Sequence, residues 1–222
     1  MPKYAIGEMP PPLSDDVRNA LQRCDTATIG HKRNWGFLDP SITCILPKAK
    51  IVGVAVTLAI PAQDSTLLHH AMTLVRPGDV LVIDRLGDLR HACWGGVVTA
   101  AAKKAGLVGV IIDGMCTDPE TIRELGFPVW SRGVSPITTR IQNIGGSLNQ
   151  TVSCGGAAVK PGDAVLADGS GVWILPPSEV LELTEYAIAK QSKEGEVLRR
   201  IAAGEKLGHI SGATALVESS KD

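Results

Sequence analysis

Two segments, residues 91–98 and 110–118, constrain this chain more than any other part of its sequence. The first is His-Ala-Cys-Trp-Gly-Gly-Val-Val, and its two glycines precede an alanine-rich stretch. The second is Val-Ile-Ile-Asp-Gly-Met-Cys-Thr-Asp. We expect a helix that begins at the glycines, and a buried strand that ends in a turn carrying a carboxylate. Together they predict an anion site beside an acidic residue, which suits a small oxo acid and a divalent metal ion.

Runs of β-branched and apolar residues predict strands through much of the chain, and capping residues and glycines delimit helices between them. The predicted strands are 51–60, 80–84, 108–112, 128–132, 149–154, 157–159, 164–167 and 172–175. The predicted helices are 14–24, 64–75, 94–105, 119–125 and 179–203.

The chain is long enough, at 222 residues, to bury a sizeable core. No linker and no break in composition divides it, so we expect one compact α/β domain over residues 1–222. Residues 1–13 are rich in proline and predict an N-terminal arm, and residues 179–222 predict a C-terminal helix and tail.

The overall charge and the aromatic content exclude some partners. The formal net charge is −1, so the sequence offers no basic excess for nucleic acid. With two tyrosines and two phenylalanines, it also has few stacking groups for single strands. No apolar run reaches the roughly 18 residues expected of a membrane span. We therefore expect neither nucleic acid nor a membrane as a partner.

The five cysteines are scattered and show no C-x-x-C spacing. They are typical of reduced thiols, and they do not predict a structural zinc site. The first residues also lack the apolar segment of a secretory signal. We therefore expect a cytoplasmic protein.

Gly95 and Gly96 leave two interpretations open. The first amides of a helix are unsatisfied and carry partial positive charge, and glycine lets an anion approach them closely. A carboxylate is then a natural ligand for residues 95–98, which we call the amide cradle. The alternative is that Gly-Gly forms only a turn before the helix.

Asp118 also has two interpretations. It follows a predicted buried strand, and ligands of α/β proteins collect at the carboxyl ends of strands. A metal ligand is therefore one role for it. However, Asp-Pro is also typical of a helix start, and locally the sequence favours Asp118 as the side-chain cap of helix 119–125.

The loop before the amide cradle is dense in charge. It contains Asp84, Arg85, Asp88, Arg90 and His91. It is either a solvated loop with surface ion pairs or a substrate clamp in which an arginine grips a carboxylate through two hydrogen bonds. In the second case His91 could act as an acid or base near neutral pH.

The chain contains an internal similarity. Residues 76–84, Arg-Pro-Gly-Asp-Val-Leu-Val-Ile-Asp, resemble residues 160–168, Lys-Pro-Gly-Asp-Ala-Val-Leu-Ala-Asp. Each predicts a turn, a strand and a terminal aspartate. The similarity indicates either a duplicated sheet element or simply a favourable turn sequence used twice.

Several motifs follow one another in the order of a known family. They are Gly78-Asp-Val-Leu-Val-Ile-Asp84, Trp94-Gly-Gly-Val-Val98, Gly106-Leu-Val-Gly-Val-Ile-Ile-Asp-Gly114, Asp118 and Phe127-Pro-Val-Trp-Ser-Arg-Gly133. Over residues 15–205 the chain resembles the family shared by 4-hydroxy-4-methyl-2-oxoglutarate aldolase and the regulator of ribonuclease activity A. Its members are often mislabelled demethylmenaquinone methyltransferases, but this chain lacks the Gly-x-Gly-x-x-Gly pattern of nucleotide cofactor binding.

The resemblance implies a compact α/β fold with a swivelling-domain-like β core flanked by helices, assembled as a homotrimer or a hexamer. It also implies a lyase that uses Mg²⁺ or Mn²⁺ to cleave a 2-oxo acid and release pyruvate through an enolate. A hard cation suits that chemistry, because cleavage beside a carbonyl builds negative charge on its oxygen.

The family's site residues can be carried over position by position. The amides of Gly95, Gly96, Val97 and Val98 match the segment that holds the pyruvyl carboxylate, and Asp118 matches the metal ligand. Glu194 matches, through a looser alignment, a carboxylate that a neighbouring subunit contributes near the metal.

Two positions depart from the family's aldolases. Thr117 stands where they usually carry an arginine at the catalytic centre, and Gly96 stands where they often carry an acidic residue. We expect Arg90 or Arg85 to supply the missing guanidinium, and His91 or a water on the metal to act as acid or base. Two alternatives to a lyase follow: a hydratase or isomerase acting on a related acid, and a non-catalytic regulatory protein.

Overall fold

The computed structural model describes residues 2–220, and a mixed sheet of nine strands forms its centre. The strands of the chain are β1 (Tyr4–Ile6), β2 (Thr43–Cys44), β3 (Ile51–Ala59), β4 (Asp79–Asp84), β5 (Ala92–Trp94), β6 (Gly109–Asp113), β7 (Met115–Cys116), β8 (Val129–Ser131), β9 (Gly133–Val134), β10 (Gly146–Leu148), β11 (Val152–Cys154), β12 (Ala157–Val159), β13 (Ala164–Asp168) and β14 (Gly171–Leu175). The helices are α1 (Asp15–Gln22), α2 (Thr26–Gly30), α3 (Thr66–Ala71), α4 (Gly96–Ala105), α5 (Pro119–Leu125), α6 (Val180–Ala202), α7 (Leu207–Ile210) and α8 (Ala213–Ser219).

The main sheet runs in the order β1-β10-β3-β4-β6-β8-β2, and the β13–β14 hairpin joins it along β3. Strands β3, β4, β6 and β8 are parallel neighbours. Their near-continuous apolar runs fit a sheet that is covered on both faces. Alternate residues of β4 divide between two cores, since Leu81 and Ile83 face one and Val80 and Val82 face the other. The predicted α/β class is confirmed.

A second, three-stranded parallel sheet, the small sheet, consists of β5, β7 and β9. Each of its strands continues from the carboxyl end of a main-sheet strand: β5 follows β4, β7 follows β6, and β9 follows β8. One residue separates β6 from β7, and one separates β8 from β9. The small sheet therefore keeps the strand order of the main sheet and lies at its carboxyl edge.

The two similar segments form the same turn. Asp79 Oδ2 accepts a hydrogen bond from the Arg76 amide at 2.8 Å, and Asp163 Oδ2 accepts one from the Lys160 amide at 2.8 Å. The strands that follow, β4 and β13, both pair with β3, the first parallel and the second antiparallel. The similarity is thus a repeated sheet element as well as a repeated turn sequence.

The ends of several elements differ between the prediction and the structure. The helix predicted from residue 94 begins at Gly96, because Trp94 is fully buried as the last residue of β5. The helix predicted over 64–75 ends at Ala71. Residues 4–6 of the predicted N-terminal arm form an edge strand beside β10. No helix among residues 2–220 is both long enough and apolar enough to cross a membrane.

Candidate active site

The start of α4 is fixed from inside the protein. Trp94 is fully buried, and its indole stacks on Phe127 with ring centroids 6.1 Å apart. Its Nε1 donates a hydrogen bond to Thr99 Oγ1 at 2.8 Å, and that hydroxyl donates to the Gly95 carbonyl at 2.8 Å. The first turn of the helix therefore has one defined position.

Asp118 lies against this helix start. Its Oδ2 accepts a hydrogen bond from the Gly96 amide at 2.9 Å. A carboxylate is favoured there because the first amides of a helix carry partial positive charge. The backbone of Asp118 has φ 53° and ψ 48°, a left-handed conformation that aspartate adopts more readily than most residues.

The local expectation that the Asp118 side chain caps α5 is therefore wrong. Asp118 does occupy the cap position of that helix, and its carbonyl accepts from the Ile122 amide at 3.0 Å. Its carboxylate, however, makes no capping bond to α5. The positive end of α4 provides a better-placed donor, and that helix lies elsewhere in the sequence.

The glycines of the amide cradle are required by close approach. A Cβ atom on Gly95 would lie 2.6 Å from Asp118 Oδ2 and 2.8 Å from Thr117 Cγ2. A Cβ atom on Gly96 would lie 2.8 Å from Thr121 Cγ2. The glycines thus pack against the turn at 117–121 and let the Asp118 carboxylate reach the Gly96 amide, while binding of a ligand carboxylate at residues 95–98 stays a prediction.

Thr117 connects the two halves of the site. Its amide donates to the Trp94 carbonyl at 2.8 Å, which holds the Asp118 turn beside the helix start. Its hydroxyl donates to Asp118 Oδ1 at 3.2 Å. The side chain that replaces the family's usual arginine therefore contacts the metal-ligand candidate directly, but it brings no positive charge.

Part of the amide cradle remains open. Within residues 2–220 no protein acceptor meets the amides of Val97 and Val98. The Val97 side chain is 83% exposed, and Asp118 is exposed as well. A small anion could therefore reach these amides from solvent and lie next to the Asp118 carboxylate.

Arg85 lies beneath the charged loop and not in the amide cradle. Its side chain is fully buried and donates to the Ala62 carbonyl at 2.5 Å and to Asp88 Oδ2 at 3.3 Å. Its Nε has no hydrogen-bond partner in the described part of the chain. The prediction that Arg85 clamps a substrate does not fit this placement, because a buried guanidinium that binds backbone carbonyls cannot reach a ligand in solvent.

His91 is held by Asp88. The ring Nδ1 lies 3.1 Å from Asp88 Oδ1, and the His91 amide donates to Asp88 Oδ2 at 3.0 Å. Burial alone would raise the pKa of Asp88, but the hydrogen bonds from the ring and from the amides of His91 and Arg90 outweigh it and lower that pKa. Asp88 is therefore a stable anionic partner for the imidazole.

His91 and Arg90 lie at the opposite end of β5 from the amide cradle. Four residues of extended chain span about 13 Å, which is the separation expected between His91 and Gly95. Arg90 is exposed, and its carbonyl accepts from Ser135 Oγ at 2.6 Å. The structure thus brings Gly95, Gly96, Thr117 and Asp118 together and leaves His91 and Arg90 apart from them.

Glu194 is exposed on the long helix α6, where it lines a groove with Lys190, Lys193, Val197 and Leu198. Among residues 2–220 no hydrogen bond or ion pair joins it to Asp118 or to the amide cradle. The expectation that Glu194 acts from a neighbouring subunit stays a prediction.

The donors around Asp118 are compatible with Mg²⁺ or Mn²⁺ in an open site. Within residues 2–220 no group of three or more His, Cys, Asp or Glu side chains could enclose a metal ion. Mg²⁺, however, commonly takes one or two carboxylates and fills its remaining positions with substrate oxygens and water. The exposed carboxylate of Asp118 fits that pattern.

Sequence reasoning assigned no role to a cluster at the carboxyl ends of β4, β6 and β8. Arg132 binds Asp113 and lies 3.2 Å from Asp39 Oδ2, and Asp113 Oδ2 accepts from the Gly155 amide at 2.7 Å. Asp113 pairs in register with Asp84. Aspartates that end neighbouring parallel strands were the signal available in the sequence, since such ends meet at one edge.

The comparisons with known proteins agree with this architecture. The family model described as RraA-like, Aldolase/RraA, matches residues 16–174. A protein of Halalkalibacterium halodurans named "Putative 4-hydroxy-4-methyl-2-oxoglutarate aldolase" is 33% identical over 145 residues, which cover 65% of this chain and 69% of that protein.

Two solved structures show the same fold. One is an uncharacterised protein of Pseudomonas syringae pv. tomato, with a TM-score of 0.77 and 24% identity over 93% of this chain and 98% of that one. The other is RraAS2 of Streptomyces coelicolor, described as an unusual member of the RNase ES inhibitor RraA family, with a TM-score of 0.74 and 27% identity over 84% and 99% of the two chains. The chain therefore belongs to the RraA-like (Aldolase/RraA) family.

Proposed function

We propose that this protein is a divalent-metal-dependent carbon–carbon lyase, an aldolase or decarboxylase that releases pyruvate from a 2-oxo acid. One observation carries the proposal: the Asp118 carboxylate and the first amides of α4 lie in one exposed site, 2.9 Å apart at Gly96. Relatives that are named as aldolases support lyase activity at a coarse level.

In this proposal the amides of Val97 and Val98 bind the substrate carboxylate, since both point from a helix N-terminus and have no acceptor within residues 2–220. Asp118 would hold Mg²⁺ or Mn²⁺. When bound, the ion offsets the negative charge that develops on the substrate's oxo group during cleavage. Thr117 positions Asp118 through its hydroxyl, 3.2 Å from Oδ1.

The positive charge that Thr117 lacks must come from elsewhere. Arg90 is our candidate, because it is exposed and takes part in no ion pair within residues 2–220. Its distance from the amide cradle along β5 means that it would act on the site of a neighbouring copy. We accordingly propose a homotrimer or hexamer, in which Glu194 of an adjacent copy also approaches the metal.

A regulatory, non-catalytic role is the second candidate. The substitution at Thr117 favours it, because a guanidinium that would polarise the substrate is missing. The similarity to RraAS2, described as a member of an RNase inhibitor family, gives the role a precedent in another protein.

Pyruvate release tests the two candidates against each other. Oxaloacetate and 4-hydroxy-4-methyl-2-oxoglutarate are assayed with Mg²⁺, with Mn²⁺ and with a chelator, using the wild type and Asp118→Asn. Asp16→Asn is the matched control, because it removes an exposed carboxylate from α1. We expect release that needs the metal and that only Asp118→Asn abolishes. Absence of release from both acids under every condition would favour the regulatory role.

A further inference from the structure

A small polar cleft, the His91 cleft, lies at the opposite end of β5 from the amide cradle. It has a volume of about 150 Å³ and is lined by Gln63, His91, Ile137, Thr138, Arg140 and Gln142. This is well below the roughly 300–1,000 Å³ of pockets for drug-sized ligands, so its occupant must be small.

Backbone hydrogen bonds fix both walls of the cleft. On one side the Ala92 amide donates to the Ile137 carbonyl at 2.7 Å. On the other side the Arg140 amide donates to the Gln63 carbonyl at 2.9 Å. The segment that carries Ile137, Thr138, Arg140 and Gln142 is thus tied at both flanks, and the cleft is a formed feature of the fold.

Asp64 reinforces the second wall. Its side chain is buried, and it accepts hydrogen bonds from the amides of Thr66 at 2.9 Å, Gln142 at 3.0 Å and Ile144 at 2.7 Å. Burial alone would raise the pKa of Asp64, but these bonds, the one from the Thr66 hydroxyl foremost, hold it well below its usual range. The Asp64 carboxylate therefore accepts its hydrogen bonds from the wall, and Asp64 is not part of the cleft lining.

The ionisable side chains that line the cleft are basic. Arg140 is exposed and takes part in no ion pair within residues 2–220, and His91 is the other titratable group in the lining. Among the residues that the structure describes, no carboxylate is part of the lining. Behind His91, Asp88 accepts a hydrogen bond from the ring and is also paired with Arg85 at 3.3 Å; the neighbouring Arg90 is exposed and is not part of the lining.

Asp88 also orients the imidazole. Because Nδ1 faces the Asp88 carboxylate at 3.1 Å, the ring presents its other nitrogen, Nε2, away from Asp88. Nε2 is therefore the ring nitrogen left to contact an anion in the cleft. Several side chains that can donate a hydrogen bond line this small cleft: the His91 ring, the Arg140 guanidinium, and the side-chain amides of Gln63 and Gln142.

We propose that the His91 cleft is a second anion-binding site, specific for a small oxyanion that carries a carboxylate or a phosphate group. It is separate from the amide cradle and does not depend on the lyase proposal.

Calorimetric titration of the full chain tests this proposal, with inorganic phosphate in one arm and malonate in the other. We expect binding in at least one arm, and the arm that binds identifies the class of anion. Arg140→Gln should weaken binding about tenfold or more, because a charge-assisted hydrogen bond is lost. His91→Gln should also weaken binding, because the imidazole is part of the cleft lining.

Two control variants distinguish binding in the His91 cleft from binding elsewhere on the protein. Arg199→Gln removes an exposed arginine from α6, and Asp118→Asn alters the amide cradle. Arg199→Gln should leave the affinity unchanged, and in an Asp118→Asn background Arg140→Gln should still weaken binding. The proposal is overturned if neither anion binds, if Arg199→Gln weakens binding as much as Arg140→Gln, or if Asp118→Asn changes the affinity and Arg140→Gln does not. Circular dichroism of each variant establishes that it is folded.

Discussion

The Asp118 carboxylate accepts a hydrogen bond from the Gly96 amide at 2.9 Å, although 22 residues separate the two in the sequence. One contact thus joins the turn after β7 to the first residue of α4. It explains why Asp118 leaves α5 uncapped, and it places a full negative charge where the partial positive charge of α4 is greatest.

Gly95→Ala tests this close approach. The backbone of Gly95 is extended, so alanine is allowed there, but its Cβ would lie 2.6 Å from Asp118 Oδ2. We expect a loss of about 1–3 kcal/mol in the free energy of unfolding, and loss of any Asp118-dependent activity, because the carboxylate must move. Urea denaturation and the pyruvate assay measure the two effects.

Gly195→Ala is the matched control for that variant. Gly195 lies within α6, and a Cβ atom there would meet nothing within 4 Å. Alanine should stabilise the protein by up to about 1 kcal/mol, since glycine is a poor residue in a helix interior. If both glycine variants destabilised the protein equally, the contact with Asp118 would not explain the effect at Gly95.

Thr117→Arg should restore the charge that the family's aldolases usually carry before the metal ligand. The Thr117 side chain is partly exposed beside Asp118, so a longer side chain has access to solvent. If the protein is a lyase, we expect kcat/KM for pyruvate release to rise about tenfold or more, as a guanidinium binds and polarises the substrate. Thr117→Gln, similar in reach but neutral, should give no such gain.

Asp64→Asn should lower stability at neutral pH by about 1–3 kcal/mol, because an amide replaces a charged acceptor of three backbone N–H groups. The folded-state pKa of Asp64 lies below its unfolded value of about 3.9, so its contribution is complete above that value and is lost as the pH falls below it. Urea midpoints of the wild type and the variant should therefore converge in acid. A constant difference down to the lowest pH at which both fold would contradict this account.

Arg85→Leu and Arg90→Gln distinguish a structural arginine from a functional one. Arg85→Leu leaves Asp88 without its buried partner, and we expect a loss of about 3–5 kcal/mol in the free energy of unfolding. The KM of the remaining folded protein should be unchanged. Arg90→Gln should leave stability unchanged and lower the rate of pyruvate release. If Arg85→Leu left the stability unchanged and raised the KM, Arg85 would be a substrate ligand and not a structural residue.

The sequence predicted those parts of the fold that depend on local pattern. Strand β4 and helix α5 were expected almost at their observed bounds, because buried apolar runs and a proline at the first helical turn are local signals. The start of α4 at the glycines was also predicted locally, from two glycines before an alanine-rich stretch.

Local sequence patterns did not predict the contacts between distant segments. The partner of the Asp118 side chain is set by how α4 and β7 pack, and the local pattern at Asp-Pro indicated a different one. Arg85 belongs to a charged loop by sequence but lies buried under it, bound to the backbone at Ala62. The small sheet has strands of two or three residues, which are too short to give a periodic signal.

Because β6 continues almost directly into β7, and β8 into β9, the geometry of the site depends on how the core is packed. Gly114 is the single residue between β6 and β7, and its missing side chain leaves room for Arg85, whose Cγ would lie 2.5 Å from an added Cβ. Because only Gly114 lies between β6 and β7, and only Thr117 between β7 and Asp118, we expect a shift of β6 in the main sheet to move the turn that carries Asp118. Core substitutions far from the amide cradle would thus misalign the carboxylate while the protein remains folded, and activity would fail before stability does.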